Sequence, residues 1–206
     1  MVTTMANEVR CRIGHCCPDA PNVDVHVDGN PAFEDVAFGD ISDYVTLDPG
    51  THEVRVVPTG TDEAVIEANV ELEGETSYTV LATGMLEDIQ PTIFTDEPGD
   101  VPSDKSHVRC IHTSPDAPNV TVSVAGGPDL FTDLGFREAT DYAPVDAGTY
   151  DLEVRPTGSD DVVLSLDGLS FDGGSAYSAI AIGQVSDDSL DAVLTQDAIV
   201  SMPADD

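Results

Sequence analysis

Apolar residues in this chain recur with a period of two. In Val23-Asp24-Val25-His26-Val27-Asp28 the valines share one face and the polar residues the other, as in a half-buried strand. Glu53-Val54-Arg55-Val56 and Asp151-Leu152-Glu153-Val154 alternate in the same way, whereas Tyr78 to Ala82 and Tyr177 to Ile182 are more continuously apolar, as strands in the middle of a sheet. Turn signals such as Asp28-Gly29-Asn30, Asp48-Pro49-Gly50, Pro58-Thr59-Gly60 and Glu73-Gly74 separate these runs, and no stretch carries a sustained helical stripe. The pattern predicts an all-β protein.

The pattern is also written twice. Arg12 to Gly84 aligns with Arg109 to Gly183 with two one-residue gaps and about thirty identities. Pro-Asp-Ala-Pro-Asn-Val begins at Pro18 and Pro115; Asp43-Tyr44 matches Asp141-Tyr142, Gly50-Thr51 matches Gly148-Thr149, and Tyr78 matches Tyr177. A period of about 98 residues is domain-sized, and seven or eight short strands in about 90 residues read as a sandwich. The expected architecture is two tandem immunoglobulin-like or transthyretin-like β-sandwich domains, at 8–95 and 107–198, joined by a Pro- and Gly-containing linker at 96–106 and followed by an acidic tail at 199–206.

Charge changes the picture of where such a chain works. It has 40 acidic against 7 basic residues in 206, a formal net charge of -33, and Lys105 is its one lysine. In dilute buffer these charges repel one another; at molar salt the Debye length falls to about 3 Å and the repulsion is screened. The acids run along the whole length, which fits adaptation to high salt better than an acidic tail. A nucleic-acid partner is excluded by the lack of a basic stripe, and no run approaches the about 20 apolar residues of a membrane span. The N-terminus lacks the pattern of a signal peptide, which predicts a cytoplasmic protein.

The ordered set of motifs resembles the DUF4397 family: Val-Arg-Cys, His, Pro-Asp-Ala-Pro-Asn-Val, then Asp-Tyr, Gly-Thr-Tyr-Asp-Leu-Glu-Val-Arg-Pro-Thr-Gly and Ala-Tyr-Ser-Ala-Ile-Ala-Ile-Gly, as they stand in the second copy. The likeness covers both copies, and with the charge it points to a haloarchaeal type. It implies a β-sandwich module doing binding or structural work, often at the cell surface, and carries over no catalytic residue.

His15-Cys16-Cys17-Pro18-Asp19-Ala20-Pro21 holds the densest candidate chemistry. The second copy keeps His112, Pro115, Asp116 and Pro118 but has Thr113-Ser114 in place of the two thiols. His15, Pro18, Asp19 and Pro21, with their second-copy equivalents, therefore read as a structural motif: a core-facing imidazole bonding turn backbone, and an aspartate capping its own turn. The alternative is a metal site on His15 and Cys17, which share a strand face; Zn²⁺ would need a further ligand. His26, the nearest imidazole, points away from the valine face. A bridge between Cys16 and Cys17 is strained, since adjacent Cα atoms lie about 3.8 Å apart. Cys11 and Cys110 read as core residues.

The repeated Arg12 and Arg109 predict ion pairs with nearby carboxylates. Tyr44, Tyr142, Tyr78 and Tyr177 predict aromatics tethered by hydroxyl to backbone. Acidic loops such as Asp160-Asp161 and Asp187-Asp188-Ser189 would bind Ca²⁺ or another cation only weakly, because no EF-hand spacing appears. No hydrolase elbow, zinc-protease helix or phosphate loop occurs. The expected function is a non-enzymatic binding or structural module without cofactor, whose partner is another protein or a second copy of itself met at exposed strand edges.

Overall fold

The computed structural model describes residues 8–197, so the acidic tail at 199–206 lies outside the described residues. The chain divides between Glu97 and Pro98 into two compact units, and the described residues form 17 strands and no helix. The first unit holds β1 (Val9–His15), β2 (Val23–Val27), β3 (Asn30–Val36), β4 (Val45–Leu47), β5 (Gly50–Pro58), β6 (Ile66–Leu72), β7 (Ser77–Thr83) and β8 (Gln90–Thr95). They make two four-stranded sheets, ordered β4-β1-β7-β8 and β3-β2-β5-β6. The second unit repeats the plan with β9 (Lys105–His112), β10 (Val120–Val124), β11 (Asp129–Leu134), β12 (Glu138–Ala139), β13 (Ala143–Asp146), β14 (Gly148–Pro156), β15 (Leu164–Phe171), β16 (Ser175–Ile182) and β17 (Asp191–Asp197). Its sheets run β12-β9-β16-β17, with β13 also on β9, and β11-β10-β14-β15.

Burial follows the alternation. Val23, Val25, Val56, Ile66, Val70 and Leu72 from one sheet pack against Val9, Cys11, Ile13, Tyr78 and Val80 from the other to form the first core. Cys110 and Ala179 meet Val120, Val122, Leu152 and Val154 in the second. Each unit is thus a sandwich of two sheets, as expected, with Cys11 and Cys110 in the core and the two continuously apolar runs as the inner strands β7 and β16. In both units the first strand lies parallel to the penultimate one: Arg12 is opposite Thr79, and Arg109 opposite Ser178. Residues that face each other in this way project on the same side, so Arg12 and Arg109 point away from the core residues that flank them.

The repeats differ by compensating changes. Gly14 bridges to Ile41, and a Cβ at Gly14 would collide with the Ile41 and Leu81 side chains. In the second unit the matching pair is Ile111 with Ala139. Large and small residues have changed places across one contact, which conserves its volume. The second alignment gap is a bulge: β15 carries an extra residue at Gly168, whose φ of 69° is left-handed, where the register to β14 shifts.

Gly14→Ala is expected to destabilise the first unit by about 1–3 kcal/mol through overpacking. Adding Ile41→Ala should recover part of that loss, so denaturant unfolding of the two single variants and the double variant should be clearly non-additive.

Candidate functional site

The turn that follows β1 is built around His15, which is fully buried. The Cys17 amide donates to Nδ1 at 3.3 Å, and Nε2 lies 3.0 Å from the Pro21 carbonyl. Because an amide only donates, Nδ1 accepts and Nε2 carries the proton: the ring is neutral and bridges the turn. His112 makes the same bonds, to the Ser114 amide at 3.3 Å and the Pro118 carbonyl at 3.2 Å. Burial lowers the pKa of both rings, opposing the carbonyl bond. Phe38 and Phe136 stand edge-on to the two imidazoles, with centroids 6.3 and 6.4 Å away.

With both His15 nitrogens occupied, a metal would have to displace a bond that holds the turn. The Cys17 thiol donates to Asp19 at 3.2 Å, in the place where Ser114 lies 3.5 Å from Asp116. Burial first, and then Asp19, push the Cys17 thiol up to about 12, so the thiolate that a metal or a disulfide needs is disfavoured. Burial likewise lifts Cys11 and Cys110 to about 12. Among the described residues no three His, Cys, Asp or Glu side chains gather at a metal-ligating position, at the acidic loops or elsewhere.

The motif aspartates reach loops distant in the sequence. Asp19 accepts from the Leu86 amide at 2.8 Å, and Asp116 from the Val185 and Ser186 amides at 2.8 and 2.9 Å. The parallel pairing of β1 with β7 and of β9 with β16 brings those distant loops alongside. The asparagine of the motif reaches the other way. Asn22 Nδ2 donates to Asp35 at 2.8 Å and Asn119 Nδ2 to Asp133 at 2.9 Å. Asp35 and Asp133 have left-handed φ of 56° and 58°, beside register shifts in β3 and β11. Non-glycine residues adopt this conformation at a cost, and here a side-chain amide holds each one.

On the opposite face of each first sheet lies a buried ionic cluster. Arg12 Nε donates to Thr79 Oγ1 at 2.8 Å; that hydroxyl donates to Asp96 at 2.7 Å, and Tyr44 donates to the same oxygen at 2.7 Å. The Arg12 guanidinium stacks 4.7 Å above the Tyr44 ring. The second unit matches it with Arg109, Ser178, Asp197 and Tyr142 at 2.7, 2.7 and 2.6 Å, and the Arg109 stack at 4.8 Å. Arg109 has the ion pair expected of it, 3.9 Å from Asp197, but the sequence reading did not identify which carboxylates serve. Asp96, the first residue of the expected linker, is buried and bonded through its amide to Ser77. The Tyr44 and Tyr142 hydroxyls, expected on backbone, donate to these carboxylates. Tyr78 and Tyr177 do accept from backbone amides five residues earlier, at Glu73 and Asp172.

These repeated residues converge on one surface feature. In the first unit β3 and the segment Asp40 to Asp43 flank an open groove of about 390 Å³, lined among others by Phe33, Asp35 and Asp43. The equivalent groove in the second unit, about 480 Å³, is lined by Phe131, Asp133, Asp141 and Tyr142 among others. One wall hangs from the asparagine–aspartate bond and, behind it, the histidine-braced turn. The other hangs from β1 and β9, where Ser42 Oγ accepts the Ile13 amide and Thr140 Oγ1 the Cys110 amide, both at 3.0 Å. Tyr44 and Tyr142 then anchor the end of that wall to the buried cluster.

Paired sandwiches with a groove of one construction in each define a tandem repeat of a small all-β module. The chain belongs to the DUF4397 family, described as a domain of unknown function, which matches residues 9–123 and 123–206. No curated protein matches it. Among solved structures it is similar to a CBM26 carbohydrate-binding module of Eubacterium rectale Amy13K in complex with maltoheptaose, at 11% identity and a TM-score of 0.29, over 93% of this chain and 98% of that one. It is also similar to a streptococcal virulence factor that binds α-glucan, at 11% identity and a TM-score of 0.26, over 88% and 95%. At these scores the likeness says nothing of ligands.

Asp96→Asn removes the anion from a buried guanidinium and is expected to cost about 3–5 kcal/mol in chemical unfolding. The two repeats should also respond differently to pH. His52 lies 2.8 Å from the Asp48 carbonyl and 2.7 Å from the Asp28 carboxylate, two acceptors that only an imidazolium satisfies. The Asp48 carbonyl first, and then Asp28, raise its pKa above 6.5. Its contribution is therefore complete below that value and is lost as pH rises through the raised one. Buried neutral His15 and His112 have the opposite sign, with stability lost as pH falls below about 6.5. Amide exchange should show weakening on the alkaline side in β5 but not in β14, where Tyr150 takes the matching place, and His52→Tyr should abolish it.

Proposed function

We propose that the protein is a non-enzymatic binding module of haloarchaeal type that engages its partner through the two grooves at once and works at high salt. The observation that carries this reading is the convergence: the residues that recur between repeats brace the two walls of each groove and also recur in its lining, as Phe33, Asp35 and Asp43 in the first and Phe131, Asp133 and Asp141 in the second. Within that shared lining, Glu34 and Ile41 of the first groove give way to Thr132 and Ala139 in the second. A fixed frame with the same carboxylates in both grooves suits recognition of an elongated polar partner whose hydroxyl or ammonium groups meet them. Two grooves on one chain raise the effective concentration for the second contact. The charge of -33 supports a working condition in concentrated salt, where surface repulsion is screened; the same screening would allow self-association of so acidic a chain.

Immobilised glycan and peptide arrays, probed with the full chain in molar KCl, test the groove. Asp43→Trp or Asp141→Trp, each filling one groove, should lower avidity for a bound array member by about 10²–10⁴-fold, and the double variant should abolish binding. Binding unchanged in the double variant would overturn the groove as the site. Thermal unfolding should shift upward with KCl; a midpoint independent of salt removes the high-salt part of the proposal.

A further inference from the structure

We propose that β6 is a self-pairing edge: in concentrated salt two copies of the chain join antiparallel through Ile66–Leu72, about a two-fold axis at Asn69. The edges of the sandwiches differ in how they are protected. β3 contains Pro31 and the left-handed Asp35; β8 contains Pro91, β13 contains Pro144, and β4 is three residues long. β11 carries the left-handed Asp133, and β15 is bent by the Gly168 bulge. β17 lacks the alternation of an open edge: Ala192 to Thr195 are all half-buried, and Asp197 is held by Tyr142 and Ser178. Prolines, bulges and short length are the devices that stop sheets from joining edge to edge.

β6 has none of them. It pairs with β5 over seven consecutive positions without a register shift, and among the described residues no strand pairs with its other side. Its side chains alternate strictly. Ile66, Val70 and Leu72 are buried with Ala68 half-buried beside them, and Glu67, Asn69 and Glu71 are exposed.

A two-fold axis at Asn69 sets Ile66 against Leu72 and Ala68 against Val70 of the second copy, so the apolar inner layer runs on unbroken. On the outer face the two Asn69 amides meet, each able to donate and to accept. Glu67 then faces Glu71 of the second copy. Arg55 already holds Glu67 at 2.9 Å, leaving the Glu71 charge in excess. That like-charge contact keeps the chains apart in dilute salt and is screened in concentrated salt. A seven-residue edge is small against the about 1,200–2,000 Å² of a stable interface, so the dimer is reversible. The matching edge of the second repeat is bulged, so the contact is isologous and closes at two copies. This inference rests on the self-association part of the proposed function.

Sedimentation equilibrium of the full chain in molar KCl should show a monomer–dimer equilibrium that dissociates as salt is lowered. Asn69→Asp, which puts two carboxylates on the axis, should weaken the dimer about tenfold or more. Glu71→Lys, which faces Glu67 of the second copy, should tighten it at least about threefold and reduce its salt requirement. Asn69→Cys should form an intermolecular disulfide under mild oxidation, the native thiols being buried. Both positions are exposed, and coincident unfolding curves confirm that the variants fold. A strict monomer at high concentration overturns self-association and this edge together. A dimer indifferent to both charge variants, without the Asn69→Cys cross-link, overturns the edge and leaves self-association standing.

Discussion

A guanidinium leaves water only where anions and hydroxyls replace its hydration, and each sandwich is organised around one that has done so. Arg12 and Arg109 are buried on the sheet face opposite the core. Each needs a hydroxyl from the strand beside it, a carboxylate from the end of the last strand and an aromatic ring from the segment that crosses the sheet edge. Those partners come from widely separated positions, so the cluster is complete only when the whole sandwich has closed. A buried ion pair is weak evidence of net stability, but leaving one charge unmatched is costly, and this asymmetry favours the single arrangement that satisfies all four groups.

The histidine-braced turn works by the same logic with neutral groups. Its imidazole satisfies turn backbone that would otherwise be buried without partners, and the aspartate beside it gathers amides from a loop brought close by the parallel strand pair. The asparagine two residues beyond Ala20, and its equivalent beyond Ala117, then stabilises a left-handed aspartate in the neighbouring edge strand. Backbone satisfaction, bulge geometry and groove wall form one chain of dependence in each repeat. The thiol at Cys17 and the hydroxyl at Ser114 are interchangeable in it, because the position asks for a small donor to a carboxylate and not for sulfur chemistry.

The strands, the duplication, the sandwich and the core faces were legible because valine alternation and turn residues are local signals. The chemistry of the motif was less so. A braced imidazole could be inferred from a histidine kept while its neighbouring thiols changed, but the reach of Asp19 to the Leu86 amide depends on a parallel pairing that no local pattern announces. Asp96 and Asp197 were hidden for another reason: among 40 acidic residues, two buried ones look like all the others. The signal that would have exposed them is the repeated arginine, which demanded an anion at a matching place in both copies. The one-residue gap in the alignment likewise hid a bulge, since an insertion of one residue in a strand is read as loop variation unless the register is known.

The separation of the two kinds of charge has a further consequence. The ions that define the fold are enclosed and shielded from mobile salt, whereas the acids that respond to salt sit on outward strand positions and loops. Ionic strength therefore acts on the exposed charges without redefining the interior. A scaffold divided in this way is portable: its surface can be rewritten for another ionic environment, acid by acid, while the enclosed arginine, its anion and the braced turn continue to specify the same sandwich.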